Sequence, residues 1–232
     1  MLILGLDPAS EGGGVLTKDG ECIAAMYWRT NIRDKRRVYT LKMSDGRNKS
    51  GLRTPWELGF AIRRAISGFV LVHGGDILVA SESAYEGRNA RTGLALSRFS
   101  GALVGPIEAL DCARRETIWV ESQKWRSASF RKKWWKETAV EHGKTASMSS
   151  ANKRVMLAWD PTQHIGVGRK EIDKRMAKMA KSFFMTKREA AKIEAERVMP
   201  GLVPGLPKHV ERCGGHEHVY DAAGVAYWAS KV

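Results

Sequence analysis

The stretch Met1-Leu2-Ile3-Leu4-Gly5-Leu6-Asp7-Pro8-Ala9-Ser10 decides the reading of the fold, because it runs apolar up to a carboxylate and is then stopped by proline. Strand alternation puts Ile3, Gly5 and Asp7 on one face and Leu2, Leu4 and Leu6 on the other. Apolar residues on both faces mark a central strand covered on both sides. Asp7 then stands at the edge of a core. A carboxylate there is costly unless it accepts hydrogen bonds or holds a cation, so it is either a turn aspartate of an Asp-Pro pair or a site residue. Position alone leaves the two readings level.

Working outward, Glu11-Gly12-Gly13-Gly14 is a glycine-rich turn. Residues 15–17 and 22–28 flank a Lys18-Asp19-Gly20 turn, which predicts a hairpin following directly on the first strand. Residues 38–43 are a further β-rich run, and the polar segment 44–53 reads as loop. Thr54-Pro55-Trp56-Glu57 is an N-cap with proline at the first helical position, and Leu58, Ala61, Ile62, Ala65, Ile66, Phe69 and Val70 recur at helical spacing up to Gly74-Gly75. Asp76-Ile77-Leu78-Val79-Ala80-Ser81-Glu82 is the second strong strand, and it too ends on a carboxylate. A helix rich in small residues is expected over 90–109, which allows close approach of a sheet or a second copy. A short strand is expected at 117–120.

The chain has 232 residues and a formal net charge of +14, which points to a polyanionic partner, with nucleic acid first and an anionic membrane surface second. The excess is concentrated: residues 122–199 hold 19 Lys or Arg against 8 Asp or Glu. That segment predicts helices at about 151–159 and 170–199, followed by a Pro/Gly-punctuated linker at 200–207 and a last helix over 216–232. No apolar run reaches the roughly 18 to 20 residues of a membrane span, and no basic region precedes Met1-Leu2-Ile3-Leu4, so neither anchor nor signal peptide is expected. Cys22, Cys112 and Cys213 are an odd, scattered set that suits a reducing, cytoplasmic setting.

In the last helix, His218 and Asp221 are three apart and share a face. With Asp7 and Glu82 they form a candidate four-residue cluster suited to a hard divalent cation, and paired ions of this kind support phosphodiester hydrolysis. The rest of the basic chain would hold the phosphate backbone. Taken singly, Glu82 reads as a strand-end carboxylate, Asp221 as first-turn helix-dipole stabilisation and Tyr85 as a half-buried loop aromatic. His209, Cys213, His216 and His218 match the spacing of no common zinc module. Glu86, Asp111, Glu116 and Asp160 read as structural or surface residues.

Gly5-Leu6-Asp7-Pro8 resembles the first-strand motif of the RuvC-like Holliday-junction resolvases of the RNase H-like superfamily. Val79-Ala80-Ser81-Glu82 resembles their second acidic strand, and Asp221-Ala222-Ala223-Gly224-Val225-Ala226 their terminal-helix motif. The resemblance covers residues 1–30, 54–126 and 216–232. It implies an α/β fold with an RNase H-like mixed five-stranded sheet flanked by helices on both faces. It implies one nuclease domain over 1–232, of which 130–207 is a basic helical insertion before the C-terminal helix. It implies a catalytic and metal-holding tetrad of Asp7, Glu82, His218 and Asp221, with two Mg²⁺ or Mn²⁺ ions and no small-molecule cofactor. His218 stands where many members have aspartate and adds no fixed negative charge, with Glu217 the nearest substitute. Tyr85 stands where the family has a base-stacking aromatic. Arg88, Arg91, Lys124, Arg126, Lys153 and Arg154 are the implied DNA contacts. The implied function is endonucleolytic resolution of four-way DNA junctions by a homodimer cutting symmetrically, leaving 5′-phosphate and 3′-hydroxyl ends. The same residues also admit another RNase H-like nuclease acting on branched DNA or RNA-DNA hybrids, and a junction-binding protein without catalysis. A third alternative is an actin-like or sugar-kinase-like ATP-binding protein that cradles phosphate at 7–14.

Overall fold

The computed structural model describes residues 1–33, 36–83, 90–110, 117–214 and 217–232. The chain divides into two compact units, one formed by Met1–Ser129 with Ala195–Val232 and the other by Phe130–Glu194.

The first unit is α/β. Its open mixed sheet contains β1 (Leu2–Asp7), β2 (Gly12–Lys18), β3 (Glu21–Arg33), β4 (Arg36–Met43), β5 (Asn48–Leu52), β6 (Ile77–Glu82) and β7 (Ile118–Val120), in the order β5-β4-β3-β2-β1-β6-β7. The strands from β1 to β5 form an antiparallel meander, whereas β6 and β7 run parallel to β1. Among the described residues, seven strands stand where five were expected. The segment 44–53, read as loop, contains β5, an edge strand exposed at every position except Leu52, so it has no apolar alternation for a sequence reading to find.

β1 is central and buried on both faces. Leu2, Leu4 and Leu6 join one core cluster with Leu58, Ile62 and Ile66 of α1 (Pro55–His73) and Leu103, Val104 and Ile107 of α2 (Ala90–Glu108). Each fully buried leucine stabilises the fold by about 2 kcal/mol relative to exposure. The other face, carrying Gly5 and Asp7, lies under α9 (Glu217–Ala229). A Cβ on Gly5 would come within 2.2 Å of the Ala222 carbonyl oxygen and within 2.7 Å of the Ala226 nitrogen. Glycine at this position therefore sets how closely the terminal helix approaches the strand.

α1 begins as its sequence predicts. The Thr54 side chain accepts from the Glu57 amide, Pro55 opens the helix, and Gly74 at φ 66° closes it. α3 (Ser122–Ser129) follows β7, and α8 (Leu206–Cys213) precedes α9. The segment 200–207 is not a linker. It holds the end of one helix and the start of the next, with Val203 and Leu206 buried and the Pro204 carbonyl accepting from the Cys22 amide at 2.9 Å.

The second unit contains α4 (Trp134–Glu141), α5 (Met148–Ala158), a 3₁₀ turn (Pro161–His164), α6 (Arg169–Phe183) and the first half of α7 (Lys187–Leu202). Its core includes Phe130, Trp134, Ala139, Ala151, Val155 and Ala180, and the fully buried Glu194 accepts from the Thr138 hydroxyl at 3.4 Å. The single helix expected over 170–199 is two. Phe184 leaves the helix to bridge Thr145, and Thr186 starts α7 with a capping box: its hydroxyl accepts from the Glu189 amide while Glu189 accepts from the Thr186 amide. Among the described residues no helix is long and apolar enough to cross a membrane.

Candidate active site

The register of the sheet sets the first two carboxylates side by side. β1 and β6 run parallel with Leu6 beside Ser81, so the next residues, Asp7 and Glu82, follow on the face that Gly5 shares with Ala80. α9 crosses this face, and its positions 218 and 221 point one turn apart toward the strand ends. The His218 Nδ1–H donates to Asp7 Oδ2 at 2.5 Å. The side chains of Asp7, Asp221 and His218 keep 14%, 13% and 16% of their exposure, enough for access yet far from bulk water.

α3 closes the cluster. The ring of its Trp125 lies where a side chain at position 224 would be, since a Cβ on Gly224 would come within 2.3 Å of it. So placed, the fully buried Trp125 donates from Nε1 to Glu82 Oε2 at 3.3 Å. Arg126 stacks over the Trp125 ring at 4.9 Å and reaches Asp221 Oδ2 at 3.7 Å. Two polar atoms here are buried without a hydrogen-bond partner among the described residues, Arg126 Nε and Asp221 Oδ1.

The electrostatics record the crowding. Burial, then the charges of Asp7 and Asp221, push the Glu82 carboxyl up to about 8, against the pull of Arg126 and Trp125. Burial and the charge of Asp7 push Asp221 up to about 7, against Arg126 and His218. For His218, burial disfavours the cation, but the hydrogen bond and charge of Asp7, with Glu217 and Asp221, outweigh it and hold the imidazole above its ordinary value. Glu217 Oε1 lies 3.7 Å from His218 Nε2.

Among the described residues, no three His, Cys, Asp or Glu side chains are drawn together as a ready metal-ligand set. Each carboxylate instead engages a protein donor: Asp7 with His218, Glu82 with Trp125, Asp221 with Arg126. The donor chemistry nevertheless suits a hard divalent cation. Three carboxylates in mutual repulsion and an unpartnered buried oxygen on Asp221 are what such an ion satisfies.

The fold thus sets Asp7 against His218 and Arg126 against Asp221, and leaves Glu82 within the electrostatic reach of Asp7 and Asp221. Lys124 is exposed beside Glu121 at 3.6 Å, and Arg91 is exposed in the first turn of α2. Lys153 and Arg154 belong to α5 of the second unit, where Arg154 donates to the Gly143 carbonyl at 2.8 Å. Tyr85 and Arg88 lie outside the described residues, as does His216. Sequence reasoning passed over Trp125 as a site residue. The signal present was a tryptophan in a polar, basic segment, a residue type that needs both an apolar seat and a partner for its N–H. No family model matches the chain, and no curated protein matches it in sequence.

Proposed function

We propose that the chain is a metal-dependent, structure-selective endonuclease of the RuvC-like, RNase H-like kind, resolving four-way DNA junctions by paired nicks. The observation that carries the reading is the convergence of Asp7, Glu82 and Asp221 at one end of the sheet, in a chain of net charge +14. The strand arrangement supports it as well: β3-β2-β1-β6-β7 forms a five-strand mixed core, with β4 and β5 added at one edge.

Asp7, Glu82 and Asp221 would hold the cation, whose bound charge supplies a stronger nucleophile from water and neutralises the phosphate. Water gives up a proton to bulk solvent as its oxygen bonds to phosphorus and the P–O3′ bond breaks, and the leaving oxygen takes up a proton to give a 3′-hydroxyl beside a 5′-phosphate. Asp7 orients His218 through Nδ1, which leaves Nε2 to carry a proton at neutral pH. Arg126, braced on Trp125, offers a cation to a non-bridging phosphate oxygen. Two symmetric nicks in a two-fold junction call for two copies of the chain.

The test is cleavage of a synthetic four-way junction beside flap, duplex and RNA-DNA hybrid substrates, across Mg²⁺ and Mn²⁺. Opposed nicks in the junction are expected. Preferential cutting of the hybrid, or junction binding with no cutting in either metal, would overturn the reading.

A further inference from the structure

The hairpin of β3 and β4 runs on past β2 after Trp28, and past β5 beyond Tyr39, which pairs with Leu52. Trp28 is the last residue of β3 paired to β2, opposite Gly12, whereas residues 29–33 continue paired to residues 36–40 of β4. β3 runs in the same direction as β1, because each is antiparallel to β2. Asp7, Gly13 and Tyr27 therefore form one row across the sheet. The overhang leaves the sheet at the end where the carboxylates converge. At about 3.4 Å per residue, its far end extends roughly 17 Å beyond Trp28, and Arg29 lies about 10 Å across and 7 Å along from Asp7.

Its sequence is strongly basic: residues 29–37 hold four Arg and one Lys against a single Asp. Arg29 stands at the base of this hairpin, and Arg33, Arg36 and Arg37 fall on its two-stranded end, where Arg33 and Arg36 pair. Arg29, Asn31, Ile32 and Arg37 are exposed, and Ile32 keeps 80% of its surface, a large apolar side chain held in water among cations. Alternation from Tyr27 puts Arg29 and Asn31 on the face of the sheet that carries Asp7. Two hydrogen bonds tie the ribbon's base to the loop after Asp7: Trp28 Nε1 donates to the Ala9 carbonyl at 2.9 Å, and the Thr30 hydroxyl donates to the Ser10 carbonyl at 2.6 Å.

We propose that this ribbon is a DNA-contacting arm that takes a duplex arm of the substrate beside the carboxylate cluster, an inference that rests on the nuclease reading above. The charge complements a phosphate backbone, and a two-stranded ribbon fits the roughly 12 Å width of the B-DNA major groove. Ile32 then meets sugar or base edges while the exposed Arg29 and Arg37 meet phosphates.

The test measures binding of a fluorescent DNA duplex and a four-way junction over a salt series in EDTA. It compares wild type, the combined variant Arg29→Ala, Arg33→Ala, Arg36→Ala and Arg37→Ala, and a charge-matched control, Lys49→Ala, Arg53→Ala, Arg63→Ala and Arg64→Ala, in β5, α1 and the turn between them. Each lost phosphate contact lowers the slope of log K against log salt by about 0.9, so the ribbon variant becomes shallower by about 3 to 4 and the control by less than about 1. Matching circular dichroism melts confirm that both variants fold. A wild-type slope in the ribbon variant, or an equal fall in both variants, overturns the inference. If wild type cuts junctions while the ribbon variant binds normally, the arm is wrong and the nuclease reading stands. If the ribbon variant loses slope but wild type cuts nothing, the arm stands and the nuclease reading fails.

Discussion

Replacing Glu82 by glutamine should stabilise the metal-free protein at alkaline pH while destroying its proposed activity. Glu82 is pushed from 4.5 to about 8 by burial and by its neighbours Asp7 and Asp221. Its folded pKa lies above the unfolded one, so between those values the folded state binds the extra proton and stability falls as pH rises. The penalty is absent below about pH 4.5 and complete above about pH 8. The interval corresponds to on the order of 5 kcal/mol at its upper limit. Protonation of Asp221, itself pushed up to about 7, relieves part of the same repulsion, so a gain of about 2 to 5 kcal/mol is expected for Glu82→Gln above pH 8. Glutamine keeps the volume and still offers Trp125 Nε1 an acceptor. The assay is urea unfolding of both proteins in EDTA at pH 5 and pH 8.5. The difference in stability should be small at pH 5 and large, favouring the variant, at pH 8.5. A pH-independent difference, or a variant less stable at pH 8.5, would refute the crowded-carboxylate picture.

Gly5→Ala should lower stability by about 1 to 3 kcal/mol, read as a fall of several degrees in Tm, because the new Cβ meets the Ala222 backbone and must push α9 off β1. Trp125→Phe keeps an aromatic ring but removes the donor that favours charged Glu82, so the acidic limb of the cleavage pH profile should move up by about one pH unit. Thr186→Ala breaks the capping box that starts α7 and should cost about 1 kcal/mol in a thermal melt with no change in the cleavage pH profile.

Much of the first unit was legible because its signals are local. The two apolar strands ending in carboxylates, the Asp-Gly hairpin and the Thr54-Pro55 cap each follow from spacing and residue type alone. β5 was not legible: an edge strand exposed at every position but its last shows no alternation, and only its pairing with β4 makes it a strand. The break between α6 and α7 was hidden by helical periodicity continuing on both sides, although Thr186-x-x-Glu189 carried the boundary. At the site, Asp7 and Glu82 could be suspected from strand ends, and His218 with Asp221 from helical spacing. The inward placement of Trp125 and Arg126 could not, because it depends on the gap that Gly224 leaves in a helix about a hundred residues away. The ribbon was missed for a similar reason, since how far a hairpin overhangs depends on where its neighbouring strand stops.

The central claim is that Asp7, Glu82 and Asp221 act as one centre, and single-turnover junction cleavage tests it most directly. Asp7→Asn, Glu82→Gln and Asp221→Asn should each lose at least about a thousandfold in rate. The triple variant should lose little more than the worst single one, as expected of groups that work as a unit. Wild-type cutting by any one of the three, or losses that multiply in the triple variant, would contradict it.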